Sequence, residues 1–206
     1  MHVWYAAYGS NLSRDRFLTY LQGGRSAGAS RSYRGARDPS LPTAERAFTM
    51  PGQVFFGWES PTWGGGIAFY DADTEGSVLA RAYRVSEQQF ADVAAQEMHR
   101  EPGEDLDLSH VLERARHELG PGRYETLHLV GELDGDPVLT FTATHALVLQ
   151  RNPPSAAYLR TVAHGLVETH GVDADQVVAY LLLCPGVVPH WSLQTVRELL
   201  TSSLPG

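Results

Sequence analysis

The stretch Val3-Trp4-Tyr5-Ala6-Ala7-Tyr8-Gly9-Ser10-Asn11-Leu12 predicts the element around which the rest of the fold is organised. Its first part, Val3 to Tyr8, is apolar and aromatic, which is typical of a β-strand buried on both faces. Gly9 then interrupts the strand, and Asn11 or Ser13 can cap a following helix. The chain therefore begins with a strand, a tight turn and a helix.

The rest of the chain alternates strands and helices. Further strands are expected at residues 54–57, 66–70 and 78–85, with a hairpin of 124–133 and 138–144 around Asp134-Gly135-Asp136. Helices are expected at residues 14–22, from 87 through 97, and at 108–119, 154–170, 173–184 and 192–200. Residues 25–51, rich in Gly, Ser, Arg and Pro, suggest a long ordered loop. Helices that interrupt the strands favour an α+β fold with a mixed sheet over a doubly wound parallel one.

Length and composition predict one globular domain. The chain has 206 residues, of which 43% are hydrophobic, and its net charge is −8. A protein with a net negative charge binds nucleic acid poorly, because the phosphate backbone is also negative. No run approaches the roughly 18 apolar residues that span a bilayer, and the N-terminus lacks the basic start of a signal peptide. We expect a cytoplasmic protein that binds neither membrane nor nucleic acid.

Residue usage also excludes several kinds of chemistry. All 16 basic residues are arginine, so a Schiff-base lysine, a pyridoxal anchor and a P-loop lysine are absent. The single cysteine, Cys184, has no partner for an intrachain disulfide or a thiolate metal site. His164 and Glu168 stand one helical turn apart without a second ligand pair, so no metal site is expected. The sequence predicts a cofactor-independent protein.

Glu97 is the leading acid-base candidate. Ser86 and Gln89 form a capping-box pattern, and Glu97 falls on the apolar stripe of the helix that follows. Burial disfavours the charged carboxylate and brings its pKa towards neutrality, where it can both accept and give a proton. The alternative is a structural carboxylate that pairs with an arginine such as Arg81 or reaches water at the helix end.

The turn after the first strand is the second candidate element. Backbone N–H groups at the start of a helix have no acceptor within the helix, and they attract a carboxylate or a developing oxyanion. Gly9 and Asn11 can equally serve only to bend and cap the chain. Further along, Trp63-Gly64-Gly65-Gly66 allows a close backbone approach or a bulge.

These motifs together resemble the gamma-glutamylcyclotransferase-like family. The resemblance spans roughly residues 3 to 183, and its motifs stand in the family's order: Tyr8 to Leu12, Trp63-Gly64-Gly65-Gly66-Ile67-Ala68, residues 78–83, Gln96-Glu97, and Pro153-Pro154 followed by Tyr158 and Gly165. Residues 31–51 and 101–120 look like elaborations of a single domain that spans residues 1–206. Thr144 and Ala80 depart from the tyrosine and glycine that relatives often carry.

The resemblance implies a small mixed, barrel-like sheet wrapped by helices, with the ligand at one mouth. It implies that Tyr8, Gly9, Ser10, Asn11 and Leu12 bind the glutamyl group of a small gamma-glutamyl amine or peptide. Glu97 would transfer the proton while the substrate's α-amine attacks its own γ-amide and releases 5-oxoproline.

Two further residues have open roles. Arg81, on the same strand face as Tyr83, can contact the substrate or form an ion pair, and Tyr158 can close the pocket or only pack. Two other functions stay open beside the enzyme reading: a ligand-binding module without turnover, and an enzyme for one tailored gamma-glutamylated metabolite or peptide. The sequence leaves the oligomeric state open.

Overall fold

The computed structural model of the protein describes residues 1–25, 32–144 and 150–201. Its strands are β1 (His2–Ala7), β2 (Ala44–Pro51), β3 (Gln53–Gly57), β4 (Ile67–Asp71), β5 (Ser77–Ser86), β6 (Arg116–Glu118), β7 (Thr126–Leu133) and β8 (Asp136–Thr142). Its helices are α1 (Arg14–Gln22), α2 (Glu87–Glu97), α3 (Ser109–Arg114), α4 (Ala156–His170), α5 (Ala174–Leu183) and α6 (Leu193–Thr201). A short 3-10 turn, Ser10–Leu12, follows β1. The predicted α+β class is confirmed.

The strands form a mixed sheet and a second, smaller sheet. The larger sheet has the order β2-β5-β1-β8-β7-β6, and β3 pairs with β4 alone. Strand β1 runs antiparallel to β5 and parallel to β8, which confirms the predicted mixed pairing. The smaller sheet is joined to β8 through the Thr142 hydroxyl, which contacts both the N–H and the carbonyl oxygen of Tyr70, at 3.0 and 2.8 Å.

Strand β1 separates two apolar clusters. Trp4 and Ala6 point into a cluster covered by α4, α5, α6 and the smaller sheet. Tyr5 and Ala7 point the other way, into a cluster covered by α1, α2 and α3. Because successive strand side chains alternate between faces, a strand buried on both sides must be apolar throughout, as this one is. The turn that follows β1 is therefore held at the centre of the molecule.

Helix α2 begins as its capping signal predicts. The Ser86 hydroxyl accepts from the Gln89 N–H at 3.1 Å, and the Gln89 side chain accepts from the Ser86 N–H at the same distance. This reciprocal pair satisfies two N–H groups that have no partner within the helix. Eleven residues later the helix ends at Glu97, so its start fixes where this carboxylate lies.

The prediction of a long loop over residues 25–51 is wrong for residues 44–51. They form β2, which pairs antiparallel with β5 at the edge of the sheet. An edge strand that is largely exposed carries charged residues such as Glu45 and Arg46, so its apolar alternation is weak. Residues 26–31 of the predicted loop lie outside the described residues.

The prediction of one helix over residues 108–119 is also wrong. The predicted helix exists only as α3, Ser109–Arg114, because Ala115 adopts a left-handed conformation and the chain continues into β6. Strand β6 pairs with β7 and so satisfies the open edge of that strand. The description of residues 31–51 and 101–120 as elaborations of a single domain stays a prediction.

Among the described residues, no helix is both long and apolar enough to cross a membrane.

Candidate active site

Two connected cavities lie between the turn after β1 and the end of α2. The larger has a volume of about 780 Å³, and the smaller, a crevice of about 30 Å³, has room for little more than a few water molecules. Both are lined by Ser10, Glu97, Tyr124 and Tyr158. Glu97 therefore lies where the crevice meets the larger cavity.

The Glu97 carboxylate is held in place by the side chain of Asn11. The Asn11 Nδ2 donates to Glu97 Oε1 at 2.9 Å and also approaches the Tyr5 hydroxyl at 3.3 Å. Burial raises the pKa of the Glu97 carboxyl, while the charge of Arg16 and hydrogen bonds from Tyr20 and Asn11 oppose that rise. A carboxyl group under these opposing effects is suited to both accept and return a proton.

The turn itself is fixed by contacts on both sides. The Leu12 N–H donates to the Gly9 carbonyl oxygen at 3.0 Å, and the Tyr83 hydroxyl donates to the Asn11 carbonyl oxygen at 2.8 Å. Helix α4 lies against the other side, where a Cβ at Gly165 would come within 2.5 Å of the Leu12 Cβ. The turn is consequently held in place from both sides.

Gly9 is required for a different reason from the one the sequence suggests. Its backbone has φ −110°, so the bend does not depend on a left-handed conformation. A Cβ at this position would lie 2.9 Å from the Tyr158 hydroxyl and 3.3 Å from the Ala68 Cβ. Glycine therefore permits Tyr158 to approach the backbone of the turn.

Tyr158 and Tyr8 both line the crevice, and their assignment to substrate binding stays a prediction. The Tyr158 hydroxyl accepts from the Ala68 N–H at 3.1 Å, and burial raises its pKa to about 12. The Tyr8 hydroxyl donates to the Phe141 carbonyl oxygen at 2.8 Å. Since both phenols stay protonated near neutral pH, they can contribute hydrogen bonds and shape but no negative charge.

Two predicted site residues do not line either cavity. Leu12 is fully buried in the core. Arg81 is buried, and its guanidinium lies 2.6 Å from Glu45, 2.8 Å from Glu168 and 3.2 Å from the Leu12 carbonyl oxygen. Of the two roles that the sequence leaves open for Arg81, the structure shows the ion pair. Its indirect contribution is to hold the turn through the Leu12 carbonyl.

The glycines of Trp63-Gly64-Gly65-Gly66 allow a close backbone approach, as predicted. A Cβ at Gly66 would lie 2.0 Å from the Asn152 carbonyl oxygen, and Gly65 has φ +145° beside Ser155. This contact holds the loop after β3 against the segment that precedes α4. The loop thereby places the Trp63 ring on the wall of the larger cavity.

Several cavity residues were not identified from the sequence. Arg16 is only 3% exposed although it lies on α1 next to the buried Phe17. Its guanidinium donates to the Tyr33 hydroxyl at 2.6 Å and lies 4.5 Å from the centroid of that ring. A charged residue on the apolar stripe of a helix is the signal that pointed to Glu97, and the same signal identifies Arg16. Arg123, Trp58 and Tyr124, which lie in loops, carry no comparable signal.

The described residues contain no group of three or more His, Cys, Asp or Glu side chains placed to hold a metal ion.

Comparison with known proteins identifies solved structures with the same fold and a curated protein that matches the chain over part of its own length. No protein-family model matches the chain. An Arabidopsis thaliana protein named histone deacetylase 5 is 33% identical over 202 residues, which cover 87% of this chain and 30% of that protein. The chain thus spans about a third of the length of this curated relative.

Two solved structures share the architecture over nearly the whole chain. A gamma-glutamyl cyclotransferase superposes with a TM-score of 0.52 at 15% identity, covering 96% of this chain and 99% of its own. An uncharacterized Homo sapiens protein, loc79017, also gives a TM-score of 0.52, at 18% identity, covering 96% of this chain and 98% of its own. The chain therefore has a gamma-glutamyl cyclotransferase-like fold.

Proposed function

We propose that this protein is a gamma-glutamylcyclotransferase, which converts a gamma-glutamyl amide into 5-oxoproline and a free amine or amino acid. The observation that carries the proposal is the position of Glu97. A single carboxylate with a raised pKa lies between a narrow crevice and a spacious cavity, and an amide side chain orients it. This arrangement suits a reaction that moves protons from one nitrogen atom of the substrate to another.

The proposed reaction begins with the substrate's α-ammonium group. Glu97 removes one proton, and the resulting amine attacks the γ-carbonyl carbon of the same molecule. A C–N bond forms and closes the five-membered ring, and the original amide C–N bond breaks. Protonated Glu97 then returns that proton to the departing nitrogen. The attacking nitrogen loses a second proton as the ring closes, and this proton passes to the released amine, which leaves as an ammonium group, so atoms and charges balance without water or a cofactor.

In this proposal, the turn after β1 binds the glutamyl group and stabilises the oxyanion. Backbone N–H groups of Gly9 and Ser10 would face the developing charge, as the first N–H groups of a helical turn commonly do. The crevice alone, at about 30 Å³, is too small for a whole glutamyl group. The glutamyl group would therefore lie at its mouth, with the γ-amide beside Glu97 and the leaving amine in the larger cavity.

The rate enhancements expected from substrate orientation and from one acid-base group are large enough for this reaction. Well-oriented intramolecular attack reaches effective molarities of about 10⁵ to 10⁸ M. A positioned acid-base group contributes roughly 10² to 10⁴-fold. The protein has to fold the substrate into the attacking conformation and to carry protons from the attacking nitrogen to the leaving nitrogen, and no protein nucleophile is needed.

A tailored substrate is a second candidate within the same reaction class. Cavities of about 300 to 1,000 Å³ hold drug-sized ligands, and the larger cavity, at about 780 Å³, falls in the upper part of that range. This volume favours an elaborate amide over the smallest dipeptides. The relative named histone deacetylase 5 matches this chain over less than a third of its own length, so its name carries no activity to this chain.

A mass-spectrometric assay for 5-oxoproline tests the proposal. The purified protein, its Glu97→Gln variant and a Glu101→Gln control would be incubated with gamma-glutamyl amino acids, gamma-glutamyl amines and glutathione. Glu101 is a matched control because it is an exposed carboxylate four residues further along, paired with Arg34. We expect product from the wild type and the control, and a loss of about 10²-fold or more in Glu97→Gln.

The other outcomes separate the alternatives. Equal turnover by Glu97→Gln and wild type would remove Glu97 from the mechanism. Binding of gamma-glutamyl compounds without any 5-oxoproline would identify a ligand-binding module.

A further inference from the structure

Flat aromatic side chains from several segments of the chain line the larger cavity. Rings come from α1 and the segment after it, from the loop after β3, and from the segment before β7. The contributing residues are Tyr20, Tyr33, Trp58, Trp63 and Tyr124. Aromatic walls favour a flat apolar ligand because offset or edge-to-face ring contacts add stability beyond the burial of area.

Trp58 and Arg123 both line this cavity and contact each other. The Arg123 guanidinium lies 3.8 Å from the centroid of the Trp58 ring. Trp58 has φ +57°, a conformation that non-glycine residues rarely adopt, and Asn152 Nδ2 donates to its carbonyl oxygen at 2.7 Å. Residues held in such conformations concentrate at ligand sites. The ring is thus fixed in place, with a cation stacked on it.

Arg16 supplies a second positive charge to the same cavity. Its guanidinium lies among the rings of Tyr20, Tyr33 and Trp63, at 5.0, 4.5 and 5.8 Å from their centroids. A guanidinium stays charged throughout the physiological pH range. Two stacked guanidiniums on one cavity attract an anionic group, and their planar donors match a carboxylate.

The acidic residues of the cavity do not cancel its attraction for an anionic group. Glu125 is already engaged, since it pairs with Arg100 and accepts from the Gly122 N–H at 2.7 Å. Glu97 is ionised when the substrate binds, and the charges of both Arg16 and Arg123 act on it, so it offsets one of the two guanidinium charges and one positive charge remains. The part of the cavity around Trp58 and Arg123 therefore combines aromatic surface with positive charge.

We propose that this part of the cavity binds the leaving group, and that the leaving group is an amine that carries both a flat aromatic ring and a carboxylate. An aromatic amino acid is the smallest example. The aromatic walls would hold the ring and Arg123 would bind the carboxylate. This inference rests on the proposed cyclotransferase function, because it assigns the amine that the reaction releases.

Three substrates separate the ring from the carboxylate: gamma-glutamyl-phenylalanine has both, gamma-glutamyl-phenethylamide lacks the carboxylate, and gamma-glutamyl-alanine lacks the ring. Their kcat/KM values would be measured on the wild type by 5-oxoproline release. Their Kd values would be measured by calorimetry on Glu97→Gln, in which binding is observed without turnover. We expect gamma-glutamyl-phenylalanine to be preferred about tenfold or more over each of the others in both measurements.

An Arg123→Gln variant tests the assignment of the carboxylate. It should lose most of the preference for gamma-glutamyl-phenylalanine over the phenethylamide. Arg151→Gln is the matched control, because the Arg151 guanidinium also lies 3.8 Å from an aromatic centroid, that of Phe55, but outside the cavity. The control should keep the wild-type preference, and thermal melts of both variants would show that they are folded.

The inference and the proposed function fail in different ways. Turnover of all three substrates with equal kcat/KM would reject the leaving-group site and leave the cyclotransferase proposal standing. An Arg123→Gln variant that still prefers gamma-glutamyl-phenylalanine over the phenethylamide would also reject the leaving-group site and leave the cyclotransferase proposal standing. Selective binding without any 5-oxoproline would reject the cyclotransferase proposal and keep the site as a binding site for the same chemical group. No binding of any of the three would overturn both.

Discussion

Replacing Asn11 with leucine should shift the pH dependence of the reaction. Leucine has nearly the same shape but cannot donate the hydrogen bond that joins Asn11 Nδ2 to Glu97 Oε1 at 2.9 Å. That bond stabilises the ionised carboxylate and lowers its pKa. Without it, the pKa of Glu97 rises further above the usual value for a glutamate, and a larger fraction of the enzyme carries the proton at a given acidic pH.

The magnitude follows from the kind of bond that is lost. A hydrogen bond to a charged group contributes about 1.5–3 kcal/mol, and each 1.4 kcal/mol corresponds to a factor of ten. On the acid side of the profile, where activity is proportional to the ionised fraction of Glu97, kcat/KM should fall about tenfold or more. At alkaline pH, where Glu97 is ionised in both proteins, the difference should narrow.

The assay is the pH profile of kcat/KM, which reports the ionisation of the free enzyme. Tyr83→Phe is the matched control, since it removes a 2.8 Å hydrogen bond to the backbone of Asn11 and leaves the carboxylate contact in place. The control should keep the wild-type acid limb. If the acid limbs of Asn11→Leu and wild type superimpose, Asn11 does not tune Glu97 and the reasoning is refuted.

Three other predictions concern stability. Arg81→Met removes the cation that pairs with Glu45 and Glu168. It should lower the free energy of unfolding by about 2 kcal/mol, which is less than the loss for a fully buried ion pair, and it should leave KM for gamma-glutamyl substrates unchanged. A raised KM in the folded variant would restore a role for Arg81 in substrate binding. Gly165→Ala places a Cβ within 2.5 Å of Leu12 and should cost about 1–3 kcal/mol in a thermal melt, and an unchanged Tm would mean that α4 can move away from the turn at no cost. Because the folded state raises the pKa of Glu97 above its unfolded value, the folded state holds that proton more tightly, and stability falls as the pH rises through the interval between the two values. Urea unfolding should therefore show Glu97→Gln gaining stability relative to wild type from acidic to alkaline pH, and a constant difference at all pH values would contradict the raised pKa.

Local signals predicted the parts of the fold that depend on few partners. The apolar run that becomes β1 and the capping box at Ser86 and Gln89 each specify their element within a few residues. Glu97 followed from the periodicity of α2, because a charged residue on an apolar stripe is conspicuous. The strands that were missed, β2 and β6, lie at or next to sheet edges, where pairing with β5 and β7 decides the conformation and local composition does not.

The cavity walls depended on tertiary contacts that no local pattern encodes. Arg123 and Trp58 are 65 residues apart in the chain, and they meet only because two loops converge over the end of α2. For Arg81, the sequence left an ion pair and a substrate contact equally open, and only the placement of Glu45 and Glu168 distinguishes them. The role of the Asn11 side chain was also missed, because the sequence argument treated the turn as a source of backbone N–H groups alone.

Strand β1 lies in the middle of the sheet and is buried on both faces, whereas the walls that face the proposed leaving group belong largely to segments 58–63 and 121–125. The two halves of the site therefore differ in how freely they can evolve. A substitution near Glu97 or the turn disturbs the core, whereas Pro61, Thr62 and Arg123 in the two segments line the cavity without packing against either apolar cluster. A mutagenesis library confined to these three positions should yield variants that accept new amines and still melt at the parental temperature.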